Sequence, residues 1–213
     1  MSRAARLTGW SLFGWSMLAF GAVSLGIFSL RYSLPKVPLA AAIPNFEVRR
    51  SWLVAHAIFA SIALMSGPWQ FLPGFRRRWI GAHRWTGRIY CAAVALGWAT
   101  SVPIAAHAFG GIVTEAGFLT LGVGWIGSTA AGYFLIRRRL VEAHRRWMTI
   151  SYALTAAAIT FRFDIALFPL FGLSFVDAYR IGSWTCWLGN LMIAAWLLRR
   201  RSEEASVRQL QKS

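Results

Sequence analysis

The chain has 213 residues, of which 57% are hydrophobic and only 14% are charged, and its net charge is +16 at pH 7. This composition is far from that of a water-soluble domain and indicates a membrane protein. The charge alone would be compatible with nucleic-acid binding, but no soluble module of basic and aromatic residues accompanies the arginines, so no nucleic-acid partner is predicted.

Six apolar segments follow one another along the chain, each long enough for a transmembrane helix. A hydrocarbon core of about 30 Å needs roughly 20 apolar residues in a helix. The predicted spans are residues 9–30, 51–72, 86–108, 116–136, 147–171 and 180–198. The first is too long for a typical signal core and is predicted to be retained. Residues 1–213 are therefore predicted to form one all-α membrane domain, with residues 199–213 as a cytoplasmic tail.

The positive charges alternate with the spans. With the N terminus placed in the cytoplasm, 17 of the 23 Lys and Arg residues fall on the inner side. The positive-inside rule then predicts that both termini are cytoplasmic and that the inner arginines meet anionic lipid head groups. Cys91 and Cys186 fall in opposite halves of the membrane, so no disulfide is predicted.

A nine-residue pattern occurs twice. "RRRWIGAHR" at 76–84 returns as "RRRLVEAHR" at 137–145, 61 positions later. Each copy begins at the end of an inward-running helix and finishes at the start of an outward-running one. Spans two to five are therefore predicted to form a four-helix core of two parallel helical hairpins, flanked by the first and sixth spans. Such repeats are normally related by an axis along the membrane normal, which predicts His83 and His144 at equal depth.

Helical spacing from the two histidines traces two stripes of small or polar residues. They are Gly87, Tyr90, Val94, Gly97 and Ser101 from His83, and Met148, Ser151, Thr155, Ala158 and Arg162 from His144. In lipid, such residues gather at helix contacts and around cavities, so both histidines are predicted to point into the bundle. A flat cofactor between helices and close backbone packing both explain the stripes, and the spacing does not choose between them.

A third histidine and a buried arginine form a second predicted group. His56 lies about 24 Å above the inner end of its span and Arg162 about 22 Å above the start of its own. An intramembrane arginine is a functional-site candidate. Asp164 projects to nearly the opposite side and is not its predicted partner. His107 falls at the outer interface, off the interior stripe, and is the weakest candidate of the four histidines.

Two stretches carry a resemblance to a known family. "GPWQFLPGFRRRWIGAHRWTGRIY" at 67–90 and "AHRRWMTISYALTAAAITFR" at 143–162 resemble a bacterial family of predicted multi-spanning membrane proteins catalogued as a domain of unknown function. The resemblance covers about residues 50 to 198 and implies a location in the bacterial inner membrane. The chain is also loosely similar to the two-haem transmembrane cytochromes b, in which histidines of facing helices hold haem.

The cytochrome similarity leads to the first functional hypothesis, transmembrane electron transfer through haem b, which would make the protein a membrane oxidoreductase. His83 and His144 are the predicted ligands of the haem iron, with His56 as a further candidate. Arg84 or Arg145 would lie beside the propionates and Tyr90 behind a ligand. The redox partner is not identified by the sequence, and a homo-oligomer is compatible with it.

Two other hypotheses stay open. A proton or small-anion carrier or channel would use an outer polar pocket of His56, Ser101, Thr155 and Arg162. A non-catalytic membrane subunit would need none of these side chains. No motif typical of a soluble enzyme is present: the chain has no phosphate-binding glycine loop, nucleophile elbow or histidine–carboxylate metal spacing.

Overall fold

The computed structural model describes residues 9–34 and 46–211, and every regular element within them is a helix. The elements are α1 Gly9–Ser29, which continues as a 3-10 turn over Leu30–Ser33, α2 Phe46–Gln70, α3 Pro73–Arg78, α4 Ile80–Ala105, α5 Ile112–Arg137, α6 Val141–Thr155, α7 Ala157–Leu167 with a 3-10 turn over Phe168–Phe171, and α8 Phe175–Leu210. The all-α prediction is confirmed for the described residues. Arg3, Arg6, Lys36 and Lys212, which entered the charge count, lie outside them.

Six helical stretches are long and apolar enough to cross a membrane, as predicted. They are Leu12–Ser33, Arg49–Gln70, Ile80–Ala105, Ile112–Arg137, Val141–Phe171 and Phe175–Glu204. The protein is therefore a multi-pass membrane protein. The third span begins at Ile80, six residues before its predicted start, and the fifth begins at Val141 instead of 147. Both earlier starts place the repeat histidines inside helices, in the first turn of α4 and of α6.

The helices pack around a central group of four. α2 contacts α4, α4 contacts α5, α5 contacts α6, and α6 returns to α2. In this ring α4 and α6 lie diagonally opposite each other. α1 packs outside α2, whereas α8 packs against α5, α6 and α7. The four-helix core of spans two to five, with the first and sixth spans beside it, follows from these contacts.

Small residues allow the central helices to approach closely. A Cβ atom on Gly67 of α2 would overlap the Tyr152 ring of α6, and a Cβ on Gly97 of α4 would lie 3.1 Å from the Trp125 ring of α5. Glycine removes bulk where a large ring of the neighbouring helix must pass, which is how helices pack tightly in lipid. The large apolar side chains point outward instead, as Phe20, Phe134 and Met192 do.

The two copies of the repeated pattern have different local structures. Arg76–Arg78 of the first copy end the short helix α3, which Pro73 begins at its first position. In the second copy Arg137 ends α5, and Arg139 turns the chain with a φ of 62°. Both loops lie at the same end of the bundle, called here the arginine-rich end. A symmetric hairpin repeat stays a prediction.

Candidate functional site

A hydrogen-bonded polar cluster occupies the centre of the bundle. The Tyr90 hydroxyl lies 2.7 Å from Ser151 Oγ and 2.8 Å from Thr155 Oγ1, which joins α4 to α6 across the diagonal. Trp125 Nε1 donates to Thr155 Oγ1 at 2.8 Å, and Thr129 Oγ1 lies 2.7 Å from Ser151 Oγ. All five side chains are buried. The cluster therefore fills the middle of the core with polar groups that satisfy one another's hydrogen-bonding capacity.

This cluster contains two residues that were predicted to belong to different sites. Tyr90 was predicted beside a haem ligand and Thr155 in the outer polar pocket, and the structure brings them into direct contact with each other. Trp125 and Thr129 were not predicted. A signal for them exists in the sequence, because Trp125, Thr129 and Gly132 follow helical spacing and would have traced a polar stripe on the fourth span.

His144 and His83 lie at the arginine-rich end, each in the first turn of its helix. His144 Nδ1 donates to the Gly132 carbonyl oxygen at 2.8 Å. Because a carbonyl only accepts, this bond places the proton on Nδ1 and leaves Nε2 of a neutral ring as a free lone pair. His83 Nδ1 is buried and has no hydrogen-bond partner among the described residues. His83 and His144 interact electrostatically, so the structure brings the two repeat histidines near each other.

Arginines surround this pair. Arg84 and Arg76 are charged neighbours of His83. Arg145 forms a salt bridge with Glu142 at 2.8 Å. Partial burial, together with the nearby Arg145 guanidinium, lowers the pKa of Arg76, and Arg201 of α8 contributes in the same direction. Arg76, which belongs to the first copy of the repeat, was not predicted as a site residue, and it is an electrostatic neighbour of Arg145 and Glu142 in the second copy.

The remaining predicted residues are spread over the other half of the bundle. His56 Nδ1 donates to the Gly97 carbonyl oxygen at 2.9 Å, and Arg162 is an electrostatic neighbour of His56. Ser101 donates to the carbonyl of Trp98 in its own helix at 2.7 Å. His107 is exposed, 3.3 Å from the Pro103 carbonyl. The structure thus brings His56 near Arg162 but places Thr155 in the central cluster.

Metal-binding chemistry at these positions would rest on paired imidazoles. Within residues 9–34 and 46–211, no group of three or more His, Cys, Asp or Glu side chains is arranged to hold a metal ion. Two histidines on facing helices form the ligand set that binds the iron of a b-type haem, because the four porphyrin nitrogens complete the coordination. A buried ring nitrogen without a partner is the kind of atom that a missing ligand would explain.

The fold defines a multi-pass helical membrane protein with a polar cluster in its core. Residues 53–198 match the family described as "Predicted membrane protein (DUF2306)", and the chain belongs to this family. The family resemblance noted in the sequence over about residues 50 to 198 is confirmed. No curated protein and no solved structure matches the chain. The similarity to two-haem cytochromes b stays a prediction.

Proposed function

We propose that this protein transfers electrons in the bacterial inner membrane through one b-type haem held between His83 and His144. One observation supports it most: His83 Nδ1 is buried without a partner, close to a histidine whose Nδ1–H bond to Gly132 leaves Nε2 available. Backbone bonds of this type set the tautomer and the ring orientation of metal-binding histidines. Bound haem supplies one-electron oxidation and reduction.

Two features around the histidines support this proposal. α4 and α6 lie diagonally opposite, so their side chains face each other across the core. Gly87, one turn beyond His83, would bring a Cβ within 4 Å of only the Gln70 side chain, at 3.6 Å. The Tyr90–Ser151–Thr155 cluster closes the core two turns deeper. A ring would therefore have to lie at the arginine-rich end.

The arginines have two roles in this proposal. Arg76 and Arg84 are neighbours of His83, and Arg145 lies close to Arg76. Their guanidinium groups would bind the carboxylates of a haem by charge-assisted hydrogen bonds. Their concentration at this end would also attract anionic lipid head groups. Tyr90 holds α4 and α6 in register below the histidines.

The test is haem binding by purified protein expressed with ample haem. We expect a reduced-minus-oxidised absorption difference in the wild type and its loss in His83→Ala and in His144→Ala. His107→Ala is the matched control, because His107 is an exposed histidine outside the core, and it should keep the band. Wild-type protein without any haem band would overturn the proposal, as would a band that survives both core substitutions.

A second candidate is a carrier or channel for protons or a small anion. The nearness of His56 and Arg162 favours it, since both lie inside spans and in the half of the bundle away from the arginine-rich end. His56, with Nδ1–H bound to Gly97, has Nε2 left to exchange a proton. A non-catalytic membrane subunit is the third candidate. In that case, replacing the histidines would leave the function of the protein unchanged.

A further inference from the structure

A group of basic and phenolic side chains lies at the end of the bundle opposite the arginine-rich end. Arg162 of α7 interacts electrostatically with Tyr32 and Arg31, which follow α1, and with Tyr179 of α8. Tyr179 and Tyr32 are also neighbours of each other. Two guanidinium groups and two phenols from three parts of the chain therefore share one electrostatic environment, and the ring contact between Tyr179 and Phe161, the residue before Arg162, fixes one side of it.

Arg162 has more donors than partners. A guanidinium has five N–H donors. The one hydrogen bond of Arg162 among the described residues runs from Nη1 to the Ala158 carbonyl oxygen in its own helix, at 3.0 Å. Asp164, the nearest acid along the chain, accepts a bond from Thr185 of α8 at 2.8 Å. The salt bridges between described residues are Arg145–Glu142 and Arg180–Asp177, so none of them neutralises Arg162.

Arg31 is also incompletely satisfied. Its Nη1 donates to the Phe28 carbonyl at 3.3 Å and its Nη2 to the Tyr32 hydroxyl at 3.2 Å. The guanidinium carbon lies 3.6 Å from the centre of the Phe28 ring and 4.6 Å from that of Tyr32. Its Nε is buried and has no hydrogen-bond partner among the described residues. The aromatic faces hold the group in place but leave this donor unused.

The phenols around the two arginines are held by packing. Tyr32 is 8% exposed and packs with Ala57 of α2. The Tyr179 ring meets the Phe161 ring edge-on, with 4.9 Å between the ring centres, and meets the Phe109 ring at 5.5 Å. Donor groups held by such packing are preorganised, which reduces the conformational entropy lost when a ligand binds.

No acid among the described residues forms a salt bridge with Arg31 or Arg162, so the two like charges repel each other, and the repulsion is stronger in a partly apolar setting than in water. An anion would neutralise them and satisfy the unused donors. The planar donor fork of arginine matches carboxylate and phosphate oxygens better than it matches a spherical ion. Arg31 follows α1 near the end of its span, the level at which phospholipid phosphates meet a bundle of this kind, and Arg162 lies deeper, nine residues before the end of its own span.

We propose that Arg31 and Arg162 together bind one phosphate-type oxyanion at this end of the bundle, with the Tyr179 hydroxyl as a third donor. The phosphate of a phospholipid head group and free inorganic phosphate share this chemistry. The site binds its anion whether or not any anion crosses the membrane, and it is independent of haem at the arginine-rich end.

The experiment measures thermal unfolding of delipidated protein in detergent against two probes. One is short-chain phosphatidylglycerol, compared with diacylglycerol of the same chain length, and the other is inorganic phosphate, compared with chloride at matched ionic strength. We expect a phosphate-bearing probe to raise the unfolding temperature while its control does not. The probe that acts at the lower concentration identifies the source of the phosphate.

Variants locate the effect. Arg31→Gln and Arg162→Gln should each weaken the apparent Kd about tenfold, because each removes a charge-assisted bond. Arg180→Gln is the matched control: Arg180 lies at the same end but already binds the Gly110 carbonyl at 2.8 Å and pairs with Asp177, so the Kd should not change. If Arg162→Gln does not fold, the apparent Kd values of Arg31→Gln and Arg162→Lys test the proposal instead. The proposal would be overturned if neither probe stabilised the wild type, or if Arg180→Gln weakened the apparent Kd as much as Arg31→Gln and Arg162→Gln do.

Discussion

At the centre of the bundle, the Tyr90 hydroxyl lies within hydrogen-bond distance of Ser151 and Thr155. A hydroxyl in an apolar core is costly unless it finds a partner, and these two side chains meet that need. Tyr90 itself is 1% exposed, so no lipid or water reaches it. The residue therefore holds α4 and α6 together in a core that contains few other polar contacts between them.

Replacing Tyr90 by Phe removes both bonds and leaves the ring in place. Interhelical hydrogen bonds in membranes contribute about 0.6 kcal/mol on average and up to about 1.7. We expect a loss of about 1 kcal/mol, which lowers the unfolding temperature in detergent by about 2–4 °C. Tyr133→Phe is the control, because Tyr133 lies on the outer surface with its ring against Phe134 and has no hydrogen bond among the described residues. Equal effects of the two substitutions would contradict this role for Tyr90.

At the scale of the element, the spacing between helices is set by where glycine faces a large ring. Gly67 of α2 lies against Tyr152 of α6, whose hydroxyl donates to the Leu64 carbonyl of α2 at 3.1 Å. The Tyr152 ring also packs on Phe71, with 5.5 Å between ring centres. Bonded at its tip and packed on its face, this ring has little room to move. The contact between α2 and α6 therefore requires a residue without a side chain at position 67.

Gly67→Ala tests this contact. The added methyl would overlap the Tyr152 ring, and overpacking of this kind costs about 1–3 kcal/mol. We expect a lower unfolding temperature and a reduced yield of folded protein in size-exclusion chromatography. Gly127→Ala is the matched control in α5, where an added Cβ would meet nothing within 4 Å, so that variant should unfold like the wild type. A stable Gly67→Ala protein would mean that α2 and α6 are less tightly coupled than their contacts suggest.

At the scale of the whole molecule, the bundle has two chemically different ends. One carries the arginines of α3, of the loop after α5 and of α8, with His83 and His144 beside them. The other carries the Arg31–Arg162 group and the loops at 106–111 and 168–174. For a membrane protein with such an asymmetry, the positive-inside rule predicts that the arginine-rich loops lie in the cytoplasm.

This orientation predicts a labelling pattern in intact cells. His107→Cys, in the exposed loop between α4 and α5, should react with a membrane-impermeant maleimide. Leu140→Cys, exposed between α5 and α6, should react only after the cells are permeabilised. Cys91 and Cys186 lie within spans, and labelling of the unmodified chain gives their background reaction with the maleimide. Labelling of Leu140→Cys from outside would reverse the orientation.

Much of the architecture was determined by the sequence alone. A bilayer sets a minimum length for an apolar helix, so six runs of sufficient length predicted six spans before any contact was known. Helical spacing also predicted which side of a helix turns inward, and Tyr90, Ser151 and Thr155 are indeed buried. Both conclusions need only one helix at a time, since length and periodicity are properties of a single segment.

Only the tertiary structure decided which inward residues meet. Tyr90 and Thr155 belonged to two different predicted sites and share one hydrogen bond, whereas Trp125 joined them without having been predicted. Arg31 and Arg162, 131 positions apart in the chain, became neighbours at one end. Spacing determines the face of a helix that a side chain occupies, but a contact between two helices also depends on their separation, rotation and relative depth. Those quantities come from the packing of all the helices together, and no single segment encodes them. The contact between Gly67 of α2 and the Tyr152 ring of α6 is an example.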